Sequence, residues 1–465
     1  MKVPPIFCLN DIRFAPMRIK ALVLTMFIAL AAIGYAGVSY AQQRVTLIID
    51  AEVSDYLNNL AAPLLRAAEL NPENVNVHLI QDNTINAFVN SQQDIYVNTG
   101  LILKAETENE VVGVLAHEIG HMKGHHILRI MNASDQVALP TILAGLAGIG
   151  VAAAGAPDAG VAVMAGSQAA GIAHLLKFSR SQEQQADQIG VNLLDATDTS
   201  SQGLKDFFSR LRTNELMYYK TPPAYLMTHP RSSDRESFLD RAQTKPHTVT
   251  KEEAARFARI QDKVAALTAS TGQVRRLYME EDSGPADYVR SIAFAMQGKY
   301  SEALQFLDKA EDKLSDDAKP YVEELRGQIA LDMGKVSDAR DYFEKALDMK
   351  PSSMLLRFHY ARALTHTGEY DKSITQFNRV IRQRPTWWLP HYNQGLAYGK
   401  AGKKGLSHLA FAESNLYRNN AKDGLFHISI AQKYLNEDTK ENGTDNTLSL
   451  QKAAQVQLEL EKLNN

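Results

Sequence analysis

The apolar positions of this chain change their period near residue 285, and the change divides it. Before that point extended and helical signals are mixed. "VNVHLI" (75–80) alternates like a half-buried strand, "DIYVNTGLI" (94–102) reads as a second strand, and "VSDYLNNLAAPLLRAAEL" (53–70) has helical spacing. Few strands among helices predict an α+β domain over 42–245. After 285 the strand signals vanish and a repeat begins. Gly298, Gly334, Gly368 and Gly402 are separated by 36, 34 and 34 residues, and each opens a similar phrase. A small residue stands five positions after each (Ala303, Ala339, Ser373, Ser407), and three phrases carry phenylalanine at the ninth (Phe343, Phe377, Phe411). Pro351 and Pro385 end two of the units.

These phrases resemble the tetratricopeptide repeat, a helix hairpin whose small positions let paired helices approach, and they imply an all-α solenoid over 285–435. Residues 246–284 read as a helical linker. Residues 436–465 read as a polar linker followed by a helix that Ala453, Val456, Leu460 and Leu463 space.

The first 41 residues stand apart. Met17 to Lys20 is basic, Ala21 to Val38 is apolar, and Ser39-Tyr40-Ala41 is a small-x-small ending, which together read as a secretory signal cleaved after Ala41. An uncleaved anchor is the competing reading. Cys8, the single cysteine, precedes the apolar segment, so the mature chain has no disulfide and no thiolate chemistry. At 465 residues, 45% apolar and 22% charged, the composition fits two or three globular domains. A formal charge of -3 with dispersed lysines and arginines leaves no basic stripe for nucleic acid.

The chemistry concentrates in "ENEVVGVLAHEIGHMKGHH" (108–126). His117-Glu118-Ile119-Gly120-His121 is an H-E-x-x-H pattern on a predicted helix, where positions i and i+4 share one face. Both imidazoles can reach one zinc ion, with Glu118 beside the open position. The plain alternative is a helix of surface and core histidines. His125 and His126, one turn further, are assigned to solvent or to support of the site. A catalytic zinc needs a third protein ligand, and "FSRSQEQQADQIGVNLL" (178–194) offers Glu183 and Asp187 four apart on a predicted helix. One carboxylate can bind metal while the other orients a histidine. A solvated acidic face is the alternative.

The order H-E-x-x-H, about sixty residues, then S-R-x-x-E-x-x-A-D resembles the zinc peptidase superfamily that includes HtpX, Oma1 and the CaaX prenyl proteases. The resemblance implies a zincin-like α+β peptidase domain with one zinc ion per chain. His117 and His121 match its histidine ligands, Glu118 its catalytic glutamate, Glu183 its third ligand and Asp187 the supporting carboxylate. "THPRSSDR" matches a later segment, making His229 a regulatory residue or fourth ligand and Arg235 a transition-state or structural residue. The order of signal, peptidase domain and repeats resembles periplasmic members. It implies a zinc endopeptidase acting on unfolded or misassembled envelope proteins, with repeats that reach the outer-membrane assembly machinery. The alternative is a repeat-based chaperone or scaffold with a latent peptidase domain.

Two segments stay open. "DIYVNTGLI" is either an edge strand onto which an extended substrate adds or an ordinary core strand. Residues 137–176, rich in glycine and alanine with Asp158 as their one acidic or basic residue, read as a packed hairpin or lid, or as a peripheral membrane contact.

Overall fold

The computed structural model describes residues 8–12, 45–90, 94–126, 129, 180–218, 225, 229, 232–242, 245, 248–268 and 282–464. The apolar segment 21–38, read above as part of a signal, and residues 137–176 lie outside these. Two units are distinguished, Val53–Ser270 and a second comprising Met1–Glu52 with Thr271–Asn465. In the second, β1 (Cys8–Ile12), which falls in the stretch read as a leader, pairs antiparallel with β2 (Val45–Ile48). The helix expected over 53–70 is α1 (Ala51–Ala67).

The unit Val53–Ser270 holds a small sheet. β3 (Val77–Ile80) runs parallel to β5 (Ile95–Asn98), and β4 (Ala87–Val89) pairs with β5 on the other side, antiparallel. The strand expected over 94–102 therefore stops at Asn98, where α2 (Thr99–Lys104) begins. The local cause is a tie to the preceding loop. Gly100 N–H and the Thr99 hydroxyl both donate to Asp82 O, each at 2.8 Å, and a Cβ on Gly100 would lie 2.3 Å from Asn83 O. The chain turns there, and Leu101 and Ile102 bury themselves from a helix. The edge-strand reading of this segment is corrected too. β5 is bonded on both sides with all four residues buried, and β4 is the outer strand beside it.

Helix α3 (Glu108–Lys123) carries the H-E-x-x-H motif. Its start is fixed by Thr107, whose hydroxyl accepts from Glu110 N–H, while the Glu110 carboxylate accepts from Glu106 N–H at 3.2 Å. Helix α4 runs through 180–196, followed by α5 (Gln202–Tyr218), α6 (Ser233–Arg241) and α7 (Lys251–Thr268). Glycine brings these helices into near backbone contact. A Cβ on Gly120 would lie 2.6 Å from Ala186 O, and one on Gly113 2.7 Å from Leu204 N. Part of the stretch read as linker is α7, held to this unit by Gln261, whose amide donates to Ile102 O at 2.9 Å and Ala105 O at 2.8 Å.

From residue 284 on, the other unit is a helical stack: α8 (Gly284–Met296), α9 (Tyr300–Glu311), α10 (Lys319–Asp332), α11 (Val336–Met349), α12 (Met354–Thr367), α13 (Tyr370–Gln383), α14 (Trp388–Lys400), α15 (Lys404–Tyr417), α16 (Ala421–Asn442) and α17 (Thr447–Asn464). The four repeat glycines sit at the hairpin turns with φ between 73° and 87°, the left-handed region that glycine enters freely. Phe343 is fully buried, and its ring fills the place of a Cβ on Gly327, 2.7 Å away. Ser373 and Ser407 are small and also donate, to Ala361 O and Gly395 O, each at 2.8 Å. The first interval is longer because a 3-10 turn, Asp316–Ala318, is inserted. The polar run after 436 continues α16 to Asn442, and Ala453, Val456 and Leu460 of α17 pack against Leu409 and Ile428. No helix among the described residues is long and apolar enough to cross a membrane.

Candidate metal centre

His117 and His121 stand one turn apart on α3, and Glu183 and Asp187 one turn apart on α4. Because Gly120 rests on Ala186, between the two carboxylates, the pairs face each other at short range. His117 Nε2 is 3.0 Å from His121 Nε2 and 3.4 Å from Glu183 Oε2, and His121 Nε2 is 3.3 Å from Glu183 Oε1. His229 joins them, its Nδ1 lying 3.3 Å from His117 Nε2 and 3.2 Å from Glu183 Oε2. His117, His121, Glu183 and His229 each place one donor atom within 4.8 Å of the others, and all four are buried.

The remaining residues singled out in the sequence surround this cluster. Asp187 Oδ1 lies 2.9 Å from His117 Nδ1, on the far side of the ring. Arg235, near the start of α6, clamps Asp187 through Nε at 2.6 Å and Nη2 at 2.9 Å, and its Nη1 reaches Glu183 Oε2 at 2.9 Å. The Arg235 guanidinium also lies over the Phe208 ring, 5.0 Å from its centroid. Glu118 is 1% exposed, with Oε1 3.4 Å from His229 Nε2, and neither of these atoms has a hydrogen-bond partner among the described residues. His229 thus faces Glu118 and Glu183, while Asp187 belongs to Arg235 and His117.

One neighbour, Tyr225, was not singled out in the sequence, whereas His126 takes the supporting place and His125 the solvent place that the sequence allowed them. Tyr225 is fully buried and stacks on the His229 ring with centroids 4.5 Å apart; its carbonyl accepts from His229 N–H at 2.8 Å. The four-residue spacing of Tyr225 and His229 was the available signal. His126 is buried with Nδ1 2.9 Å from His121 Nδ1, and its Nε2 meets Gln185 Oε1 at 3.0 Å. His125 is exposed.

Burial opposes charge on every group here. At His117 it is outweighed by Asp187 and Glu183, and the pKa rises to about 9; at His121 burial prevails and the pKa falls to about 3. Burial likewise raises the Glu118 carboxyl. Glu183 is the reverse: burial would raise it, but the three facing imidazoles hold it well below the usual carboxylate range.

The donor set fits a zinc ion. Ligands about 2.0–2.1 Å from a tetrahedral zinc lie about 3.3 Å from one another. Five donor separations of 3.0 to 3.4 Å lie close to that value, with Glu183 turning Oε2 to His117 and His229 and Oε1 to His121. Two imidazole nitrogens and a carboxylate are also borderline ligands of the kind zinc takes. Crowding of this kind without hydrogen bonds at Glu118 Oε1 and His229 Nε2 is what a charged guest relieves.

Residues 49–243 match the family described as peptidase family M48, and residues 325–386 match a tetratricopeptide repeat. The chain is 25% identical over 342 residues to the beta-barrel assembly-enhancing protease of Escherichia coli strain K12, covering 72% of this chain and 69% of that protein. It is 31% identical over 193 residues to the metalloprotease LoiP of the same organism, covering 41% of this chain and 70% of LoiP. A Vibrio cholerae relative is 33% identical over 189 residues, 41% of this chain and 39% of the relative's length.

Proposed function

The chain belongs to peptidase family M48, and from that premise we propose that it is a zinc-dependent endopeptidase of the periplasm. It hydrolyses peptide bonds of misfolded or stalled envelope proteins in outer-membrane protein quality control, and its repeats bind client or assembly proteins. The likeness to beta-barrel assembly-enhancing proteases supports this setting. One observation supports the chemistry: His117, His121 and Glu183 bring buried donor atoms to within 3.0 to 3.4 Å of one another, a spacing that suits a zinc ion, with Glu118 beside them.

His117, His121 and Glu183 would hold the zinc ion, one per chain. When bound, zinc supplies Lewis acidity, polarising the scissile carbonyl and making water acidic enough to react near pH 7. Glu118 takes the proton from the attacking water and delivers it to the leaving amine, a task that suits a carboxyl whose affinity for protons burial has raised. Asp187 orients His117, and Arg235 neutralises and fixes both carboxylates. The outer strand β4, packed beside α3, receives an extended substrate by strand addition.

His229 supports a second reading, a peptidase that rests in a latent state. Its Nδ1 lies 3.3 Å from His117 Nε2 and 3.2 Å from Glu183 Oε2 and its Nε2 faces Glu118, so its imidazole would take a position beside the metal that substrate and water need. Activity then waits for displacement of this side chain. The decisive experiment is cleavage of casein by the parent, by the parent with a chelator, and by Glu118→Gln, whose amide cannot act as base. Loss of cleavage in the last two, with zinc retained by Glu118→Gln, is expected. Undiminished cleavage by Glu118→Gln refutes the assignment.

A further inference from the structure

We infer that His126 is a positioning residue for the ligand His121, as the middle member of a hydrogen-bonded chain that ends on the amide of Gln185. The inference rests on the zinc reading above. His121 turns Nε2 toward the cluster, 3.0 Å from His117 Nε2, so a lone pair is required there and the ring proton belongs on Nδ1. That nitrogen lies 2.9 Å from His126 Nδ1. For His121 Nδ1–H to donate, His126 Nδ1 must be bare and its own proton must sit on Nε2. The next contact meets this condition: Gln185 Oε1 lies 3.0 Å from His126 Nε2. The Arg129 guanidinium, which can only donate, reaches the same oxygen at 3.2 Å and so fixes which end of the amide faces inward.

The backbone around His126 is shaped to hold its ring. His125 adopts φ of 52°, turning the chain back after α3, and a Cβ on Gly124 would fall 2.2 Å from His126 Nε2. The Gln182 side-chain amide donates to His126 O at 3.0 Å. Helix α4 therefore supports His126 at two points, Gln182 and Gln185, and provides Glu183 between them. The two histidines of the motif are held differently. His117 is backed by the Asp187 carboxylate, and His121 by a neutral imidazole whose tautomer an amide selects.

The test is zinc affinity by competition with a chromophoric chelator, with helical content followed by circular dichroism. His126→Phe keeps a ring over Gly124 but offers no acceptor, and zinc binding is expected to weaken about 10- to 100-fold. His126→Asn places an amide oxygen where Nδ1 stood and should recover most of that loss. Because His126→Phe can disturb a buried site, an exposed pair supplies an independent arm. Gln185→Glu, a stronger acceptor, should bind zinc more tightly than Gln185→Leu. Equal affinity of parent and His126→Phe, failure of His126→Asn to recover binding, or equal affinity of the two Gln185 variants overturns the inference while leaving the zinc site intact. A parent that binds no zinc overturns the zinc reading, and this inference with it.

Discussion

Substituting Gly120 by alanine tests whether the close approach of α3 and α4 builds the metal site. Gly120 lies inside the motif, between the two histidines, and touches Ala186, which lies between Glu183 and Asp187. The added Cβ would be 2.6 Å from Ala186 O and 3.1 Å from Ala186 Cα, where ordinary contact begins at 3.4 Å. The helices must separate by about 0.8 Å to restore van der Waals distance. Zinc ligand distances tolerate about 0.2 Å, so a shift several times larger cannot be absorbed with all three ligands engaged. Overpacking of this kind costs about 1–3 kcal/mol. Where the metal-free protein relaxes by sliding the helices apart and zinc draws them together again, that cost reappears as zinc affinity weakened roughly 5- to 150-fold. Alanine is also the better helix former, so helical content should not fall. Gly190→Ala is the control, since its Cβ would lie 3.3 Å from Ala116, almost at ordinary distance. Chelator competition and circular dichroism on both variants decide the matter. Zinc affinity of Gly120→Ala within twofold of the parent refutes the reasoning.

Other consequences can be checked in parallel. His229→Ala should raise basal casein cleavage, self-cleavage included, without lowering zinc content; a variant that keeps zinc yet cleaves no faster than the parent removes the latent-state reading. A chain ending at Ser270 should retain cleavage of short unfolded peptides. One ending near residue 250 loses α7, and with it buried Phe257, Ile260, Val264 and Leu267, and should aggregate or melt at lower temperature; equal behaviour of the two would show that α7 is dispensable. Phe343→Ala should destabilise the repeats by about 3–5 kcal/mol, read as an earlier chemical-denaturation midpoint, with the peptidase unit unaffected.

The parts of the molecule that repeat or recur at helical spacing were legible in its sequence. His117, Glu118 and His121 needed only the period of α3, and the left-handed turns at Gly298, Gly334, Gly368 and Gly402 needed only their intervals. What escaped depended on chain reversals. Leu101 and Ile102 fit strand and helix alike, and the contact of Gly100 with residue 83 decides between them. The position of β5 inside the sheet follows from pairing with β3 and β4, which no local pattern encodes. His126 reaches His121 because His125 leaves the helix with positive φ, so its contact obeys no period. Arg235 was legible as a motif residue, but its partners lie on α4, 48 residues earlier for Asp187.

The Arg235 clamp sets a leash length. His229 precedes Arg235 by six residues, and six residues extend at most about 20 Å. As long as Arg235 stays bonded to Asp187 and Glu183, an imidazole pushed out of the cluster remains within that radius, at an effective concentration in the millimolar range for so short a tether. On the latent-state reading proposed above, each arriving peptide would compete with an inhibitor that never diffuses away. A segment that binds in isolation only weakly loses that contest, whereas a chain held at several points wins it and is cut. On the same reading, the site would reset by itself once the product leaves.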